Sequence, residues 1–215
     1  MSLINNVFNW EGGWTVSEGF KASDVIYAVI IPCIVAFLII AFPFYLGPAL
    51  DPTLRAILVY GLGEAILIIG VPMLFGLLWN QWAGGASGFL SGSIYALYVN
   101  DVFAAAQKYT PDGMIGDISN LGYVVCAMLT GYITGALNKG GLGFKRMVAS
   151  ALTGGIIGGL FLLYTQLISP FGMVTFSNIG YNLFINLLPR IIYGIVIPII
   201  AKVFSWYGLI LRKTG

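Results

Sequence analysis

The stretch Leu183–Phe204, which reads LFINLLPRIIYGIVIPIIAKVF, decides the fold class of this chain. It is long enough to cross a bilayer as a helix, which needs about 20 predominantly apolar residues. Its charged residues are Arg190 and Lys202, and Lys202 lies close to its end. The stretch therefore predicts a transmembrane helix that carries one charge in its interior, Arg190.

Five further stretches of the same kind fill most of the remaining sequence. The chain is 59% hydrophobic and 8% charged, whereas soluble domains have roughly 25% charged residues, and its mean hydropathy is +0.93. We therefore predict an all-α integral membrane protein, a bundle of six transmembrane helices. The other five predicted spans are Val25–Leu46, Ala56–Trp79, Ala83–Ala106, Ile118–Asn138 and Met147–Ile168.

The six spans divide the chain into three regions. Residues 1–24 form a predicted N-terminal interfacial segment, residues 25–204 the six-helix transmembrane domain, and residues 205–215 a short basic cytoplasmic tail. The first segment lacks the basic start, short apolar core and cleavage site of a signal peptide. We therefore expect the first span to be uncleaved.

The basic residues predict the orientation of the bundle, because short loops rich in lysine and arginine stay in the cytoplasm. Six spans place both termini on the same side. Arg55 and Lys108 fall in the opposite loops, and Arg190 lies within a span. We therefore predict a multi-pass protein of the plasma membrane with both termini in the cytoplasm. The other seven of the ten basic residues are on the side of the termini: Lys21, Lys139, Lys145, Arg146, Lys202, Arg212 and Lys213.

Two predicted spans contain an ionisable residue in their interior, Glu64 and Arg190. A charge in lipid costs roughly 2.5–3.5 kcal/mol on insertion scales, so such residues usually face a cavity or a partner. At about 1.5 Å per residue, both lie roughly 12–14 Å from the outer boundary and can meet at one depth. We interpret them as part of a ligand cavity that opens outward. The alternatives are a structural ion pair, a water-filled crevice, or an error of a few residues in the helix boundaries.

Other polar side chains also fall on the predicted outer halves of the spans. A few polar groups in a largely apolar cleft are typical of small-molecule sites, and this set suits a small, partly polar ligand, including an aromatic or zwitterionic one. The alternative is that asparagines at helix starts are caps or exposed surface residues. The predicted substrate-binding residues are Glu64, Asn120, Tyr123, Asn182, Asn186 and Arg190.

Glycines recur every four residues in the third predicted span, at Gly84, Gly88 and Gly92. Small residues at this spacing let helix backbones approach closely in lipid. The partner helix can belong to the same chain or to another subunit. We predict that this glycine file is a docking face for a membrane partner, with internal packing as the alternative.

Catalytic and cofactor-binding patterns are missing from the sequence. It contains no histidine, no cluster with metal-ligand spacing and no phosphate-binding loop. Asp112 and Asp117 lie in a predicted outer loop, which lacks the closely spaced oxygens of a calcium loop. We interpret this outer loop as solvated. Cys33 and Cys126 lie in apolar stretches, where a thiol behaves as a small hydrophobe. We expect no enzymatic activity, no cofactor, no metal and no nucleic-acid partner.

A short segment, Gly85-Ala86-Ser87-Gly88 followed by Gly92, resembles the serine-nucleophile segment of rhomboid intramembrane proteases. In that family a histidine on a later helix activates the serine, which is a weak nucleophile without an adjacent base. Because this chain has no histidine, we interpret the match as coincidental and Ser87 as a small packing residue.

A longer resemblance covers most of the chain. Pro72–Gly92 consists of an apolar helix, a very short turn and a glycine-rich helix, and is followed by Leu121–Gly135, the small-residue helix Ala149–Gly159 and the last helix, Asn182–Lys202. In this order these segments are similar to the substrate-binding S components of energy-coupling-factor transporters.

The resemblance implies a six-helix subunit that captures a vitamin or another micronutrient from outside the cell. It also implies partner ATPases that power uptake through a membrane-embedded coupling subunit. Many members grip that subunit through Ala-x-x-x-Ala in the first helix, and here the glycine file of the third span is the candidate for this contact. The alternative function is that of a non-catalytic accessory subunit of a larger membrane complex.

Overall fold

The computed structural model describes residues 63–107, 117–170 and 174–206, together with Ile30 and Ile34. For residues 98–107 only the backbone is described. The predicted first span, Val25–Leu46, therefore lies outside the described residues apart from those two isoleucines, as do the predicted N-terminal segment 1–24 and most of the tail 205–215.

Every regular element in this part of the chain is a helix, which confirms the all-α prediction there. Helix α1 begins with a π-helical segment, Ala65–Gly70, and continues as an α-helix over Val71–Leu78. Four further helices follow: α2 (Gln81–Gln107), α3 (Ile118–Asn138), α4 (Phe144–Ile168) and α5 (Ile179–Trp206). In order along the chain, these five helices correspond to the second to sixth predicted spans.

Three of these helices, α3, α4 and α5, are long and apolar enough to cross a membrane. Helix α1 is apolar but shorter in its described part. These properties support an integral membrane protein. The count of six spans, the plasma membrane and the orientation of the termini stay predictions.

Helix α3 lies at the centre of the described bundle. It packs against α1, α2 and α4, while α4 in turn packs against α5. Helix α1 contacts both α2 and α5. Buried apolar side chains fill the core between these helices, among them Leu67, Ile68, Met73, Ala127, Met147 and Leu162.

The glycine file of α2 faces α3 within the same chain. A Cβ atom on Gly84 would overlap the carbonyl of Gly131, and one on Gly88 would overlap the carbonyl of Ala127. A Cβ atom on Gly92 would lie 2.9 Å from a Cα atom of α3. The prediction that Gly84, Gly88 and Gly92 form a docking face for a partner is corrected accordingly, since the backbone of α3 already occupies that face. Close helix approach explains the spacing equally well.

Two buried serines lie beside this file, and one of them, Ser91, connects α2 to the π-helical segment. Ser91 is fully buried, and its hydroxyl lies 2.8 Å from the carbonyl oxygen of Leu67 and 2.7 Å from that of Ser87. Ser87, the serine of the rhomboid-like segment, is also fully buried and donates to the carbonyl of Gly84. Both serines therefore act in packing and helix contact.

One end of the bundle is basic. Lys139 and Gly140 end α3 in left-handed conformations, with φ values of 46° and 66°. Arg146 Nε donates to the carbonyl of Leu137 at 3.1 Å, and Lys202 Nζ donates to the carbonyl of Leu142 at 2.9 Å. The joint between α3 and α4 and the last turns of α5 thus share this end, which we call the basic end.

At the opposite end of the bundle, a carboxylate joins α3 to α4. Ser169, directly after α4, donates to Asp117, directly before α3, at 2.7 and 2.8 Å from its two carboxylate oxygens. Ser119 also donates to Asp117. The interpretation of this aspartate as solvated is wrong, because Asp117 is buried and ties α3 to α4. Asp112 lies outside the described residues.

Candidate functional site

A cavity of about 280 Å³ lies among α1, α4 and α5, away from the basic end. Its wall includes the residue that precedes α1, a residue from the last turn of α4 and the first turns of α5. Apolar walls come from Ala65, Ile69, Ile185 and Pro189. The polar side chains that line it are Glu64, Gln166, Asn182, Asn186 and Arg190.

Arg190 is the largest fully buried side chain in the described part of the chain, with 1% exposure. Its Nη2 atom lies 3.8 Å from Oε1 of Glu64, whose side chain is 28% exposed. Nη1 donates to the backbone carbonyl of Asn186, and Nη2 lies 3.4 Å from the sulfur of Cys126. Among the described residues, its Nε atom has no hydrogen-bond partner. The charge predicted to lie in a span is therefore buried, and its nearest charged neighbour here is Glu64.

One glycine on α4, Gly159, makes room for the arginine. A Cβ atom on Gly159 would lie 2.5 Å from Cδ of Arg190. A Cβ atom on Gly155 would instead lie 2.7 Å from the side chain of Met73 and at an ordinary contact distance, 3.4 Å, from Cβ of Arg190. The other glycine pair of this helix, Gly154 and Gly158, faces α3. Gly159 therefore admits Arg190 between α4 and α5, while the pair Gly154 and Gly158 packs against α3.

A proline adjusts the backbone of α5 at the cavity. Pro189 lies inside the helix and has no backbone N–H, so it cannot donate to the carbonyl of Ile185 as an α-helical residue would. Both residues line the cavity. The carbonyl of Ile185 at the cavity therefore lacks the backbone N–H that residue 189 would ordinarily donate to it.

The π-helical segment begins directly after Glu64. Single π-helical turns within α-helices occur frequently at functional sites. Here the segment carries Ala65 and Ile69 on the cavity wall beside Glu64, while Ser91 holds the carbonyl of Leu67 from the other side. The π-helix therefore positions one wall of the cavity.

Four of the six predicted binding residues, Glu64, Asn182, Asn186 and Arg190, line this cavity. Tyr123 is one contact removed, since its hydroxyl oxygen accepts from Gln166 Nε2 at 3.4 Å. Its ring packs edge-to-face against a second tyrosine on α2, with ring centroids 5.2 Å apart.

Asn120 is not among the described residues that line the cavity. It lies in the first turn of α3, where its backbone N–H donates to the carbonyl of Asp117 at 3.1 Å. The role of Asn120 in ligand binding therefore stays a prediction.

Two residues at this site were not predicted as binding residues. Gln166 lines the cavity and was recognisable from the sequence as a polar residue near the outer end of its span. Cys126 contacts Arg190 through its sulfur, and no sequence signal indicates this role, because a thiol in an apolar stretch is ordinarily a packing residue.

The described residues contain no group of three or more histidine, cysteine, aspartate or glutamate side chains that could hold a metal ion. The arrangement instead offers one negative and one positive charge, three amides and apolar walls. Such a set suits reversible binding of a small polar molecule.

Comparisons of the chain with protein-family models, with curated proteins and with solved structures gave no match. The geometry of the cavity therefore carries the functional conclusion.

Proposed function

We propose that this chain is the substrate-binding subunit of a membrane uptake transporter, and that it captures a small molecule in the cavity beside Arg190. The observation that carries this proposal is the convergence on one cavity of Glu64 from the start of α1, Gln166 from α4, and Asn182, Asn186 and Arg190 from α5. Ionisable residues inside membrane spans ordinarily mark substrate or ion pathways. The chain acts without chemistry on its ligand, and partner ATPases supply the energy through a coupling subunit.

The two ends of the bundle support entry from outside the cell. Lys139, Arg146 and Lys202 gather at the basic end, and basic loops stay in the cytoplasm. The cavity lies toward the other end, near the start of α5 and the last turn of α4. A ligand therefore enters from the extracellular side.

The size of the cavity also supports this function. Its volume of about 280 Å³ is just below the roughly 300–1,000 Å³ that is typical of small-molecule sites. Such a space suits a small ligand.

The alternative, an accessory subunit of a larger complex, loses its main sequence support in this structure. Its proposed docking residues, Gly84, Gly88 and Gly92, pack against α3. An accessory subunit also gives no reason for a buried arginine, beside a cavity, whose Nε atom has no partner among the described residues.

The test is to purify the protein in lipid nanodiscs and to identify bound small molecules by native mass spectrometry. We expect one molecule per chain in the wild type and its loss in Arg190→Gln. Lys145→Gln is the matched control, because it also removes one positive charge but lies exposed at the basic end. Absence of any bound molecule from the wild type, with identical spectra for all three proteins, would favour the accessory role.

A further inference from the structure

The guanidinium of Arg190 has few good acceptors for a group so deeply buried. It carries five N–H donors, yet among the described residues its hydrogen-bond acceptors are one backbone carbonyl, of Asn186, and one thiol, of Cys126, which is a weak acceptor. Glu64 lies 3.8 Å away, beyond hydrogen-bonding distance. The Nε atom has no hydrogen-bond partner in the part of the chain that the structure describes. A buried donor without an acceptor is costly, so the site is short of oxygen acceptors.

From this shortage we propose that the cavity takes a small zwitterion, with its acidic group on Arg190 and its cationic nitrogen on Glu64. The inference rests on the proposed function, since it names the class of substrate that the binding subunit captures. An acid group supplies two oxygens to a guanidinium, in the geometry that arginine favours.

The carboxylate of Glu64 explains why a simple acid does not suffice. Glu64 lines the same cavity as Arg190, so a ligand with only a negative charge meets repulsion from this side chain. A ligand with only a positive charge is repelled by the guanidinium of Arg190. In a site of low dielectric these like-charge contacts are strong. A zwitterion leaves the net charge of the site unchanged and pairs both groups.

The remaining wall fits the uncharged part of such a ligand. The Oδ1 atom of Asn186 is buried and has no hydrogen-bond partner in the described ranges, and Asn182 and Gln166 line the same cavity. Ile69 and Ile185 supply apolar surface. The ligand is therefore a compact amino acid or a similar zwitterion with a short polar or apolar body.

The experiment compares matched probes on the purified wild-type protein by thermal unfolding and by calorimetric titration. The zwitterions are glycine, β-alanine and γ-aminobutyrate. The singly charged probes are acetate, propionate and butyrate, and methylamine, ethylamine and propylamine, at equal concentrations and pH. We expect at least one zwitterion to raise the unfolding temperature and to bind at least about tenfold more tightly than the acid and the amine of similar length, a factor worth about 1.4 kcal/mol.

Variants then locate the two charges. Glu64→Gln and Arg190→Gln should each abolish the preference for the zwitterion, whereas Lys145→Gln should keep it. Acids or amines that protect as well as the zwitterions, or zwitterions that give no protection, would overturn the inference. These comparisons use the wild type first, so a variant that fails to fold does not decide the result.

The outcome also separates the inference from the function on which it rests. A bound molecule of single charge in the native mass spectrum means that the substrate class is wrong while the binding function stands. No bound molecule, together with no protection by any probe, means that both fail.

Discussion

Gly159 and Arg190 fill complementary space across the interface of α4 and α5. A Cβ atom on the glycine would lie 2.5 Å from Cδ and 2.8 Å from Nε of the arginine. The arginine reaches the interior because the facing helix lacks a side chain at this one position. Small residues at this spacing usually serve close helix packing, but here Gly159 makes room for a charged side chain.

The first prediction follows from this contact. Gly159→Ala should push the Arg190 side chain out of its position and destabilise the protein by about 1–3 kcal/mol, the usual cost of overpacking a dense interior. It should also lower the amount of small molecule that stays bound through purification. Thermal unfolding in detergent and native mass spectrometry measure the two effects.

Gly180→Ala is the matched control, because no atom of the described residues lies within 4 Å of the Cβ atom that it adds. Alanine also favours a helix over glycine by roughly 0.5–1 kcal/mol, so this variant should be neutral or slightly more stable. If the two alanine variants unfold alike, Gly159 does not determine the position of Arg190.

The second prediction concerns the two charges at the cavity. Glu64→Gln leaves the fully buried guanidinium without its nearest negative charge, whereas Arg190→Gln leaves a carboxylate that is 28% exposed. The first change should therefore carry the larger electrostatic penalty, although less than the roughly 3–5 kcal/mol of a fully buried pair. The double variant should recover part of the loss, because it removes both charges.

Unfolding free energies of the two single variants and the double variant measure this coupling as a double-mutant cycle. Lys145→Gln serves as the control for a charge change far from the pair. Strict additivity of the two single effects would mean that Glu64 and Arg190 do not interact across 3.8 Å.

Much of the helical architecture was predictable, because length and apolar composition are local properties. The predicted span Ile118–Asn138 has the same bounds as α3, and the predicted Leu183–Phe204 lies within α5, Ile179–Trp206. The π-helical start of α1 was not predictable, since no residue in Ala65–Gly70 distinguishes it from an ordinary helix. The contact from Ser91 on α2 to the carbonyl of Leu67 within this segment likewise has no local signal in the sequence.

The part of the site formed by charged residues was predictable from the sequence. An arginine and a glutamate inside apolar spans are costly to expose to lipid, so they usually face a cavity or a partner. Here the two side chains lie together at the cavity. The partner of the glycine file was not predictable, because Gly84, Gly88 and Gly92 fit a helix of the same chain as well as one of another chain. Only the three-dimensional packing distinguishes these cases.

The third prediction tests that packing. Gly88→Leu should strongly lower the stability of the isolated protein, because the new side chain meets the backbone of α3 at Ala127. Overpacking of this kind costs about 1–3 kcal/mol, and occasionally more. The measurement is the unfolding temperature of the purified protein without partners.

Ala86→Leu is the control for this variant, because Ala86 lies on the same helix but is exposed. It adds a similar apolar side chain where lipid can accommodate it, so its unfolding temperature should stay near that of the wild type. A stable Gly88→Leu protein that has lost only a membrane partner would restore the docking interpretation.

The last prediction concerns orientation, on which entry of the ligand from outside depends. Single cysteines replace Gly143 at the basic end or Ser177 before α5, both of which are exposed, in a background where Cys33 and Cys126 are serine. We expect a membrane-impermeant maleimide to label the Ser177→Cys protein in intact cells. It should label the Gly143→Cys protein only after the membrane is permeabilised, because basic loops remain in the cytoplasm. The background protein without cysteines controls for non-specific labelling. The reverse pattern would place the cavity toward the cytoplasm, where capture of a nutrient from outside is impossible.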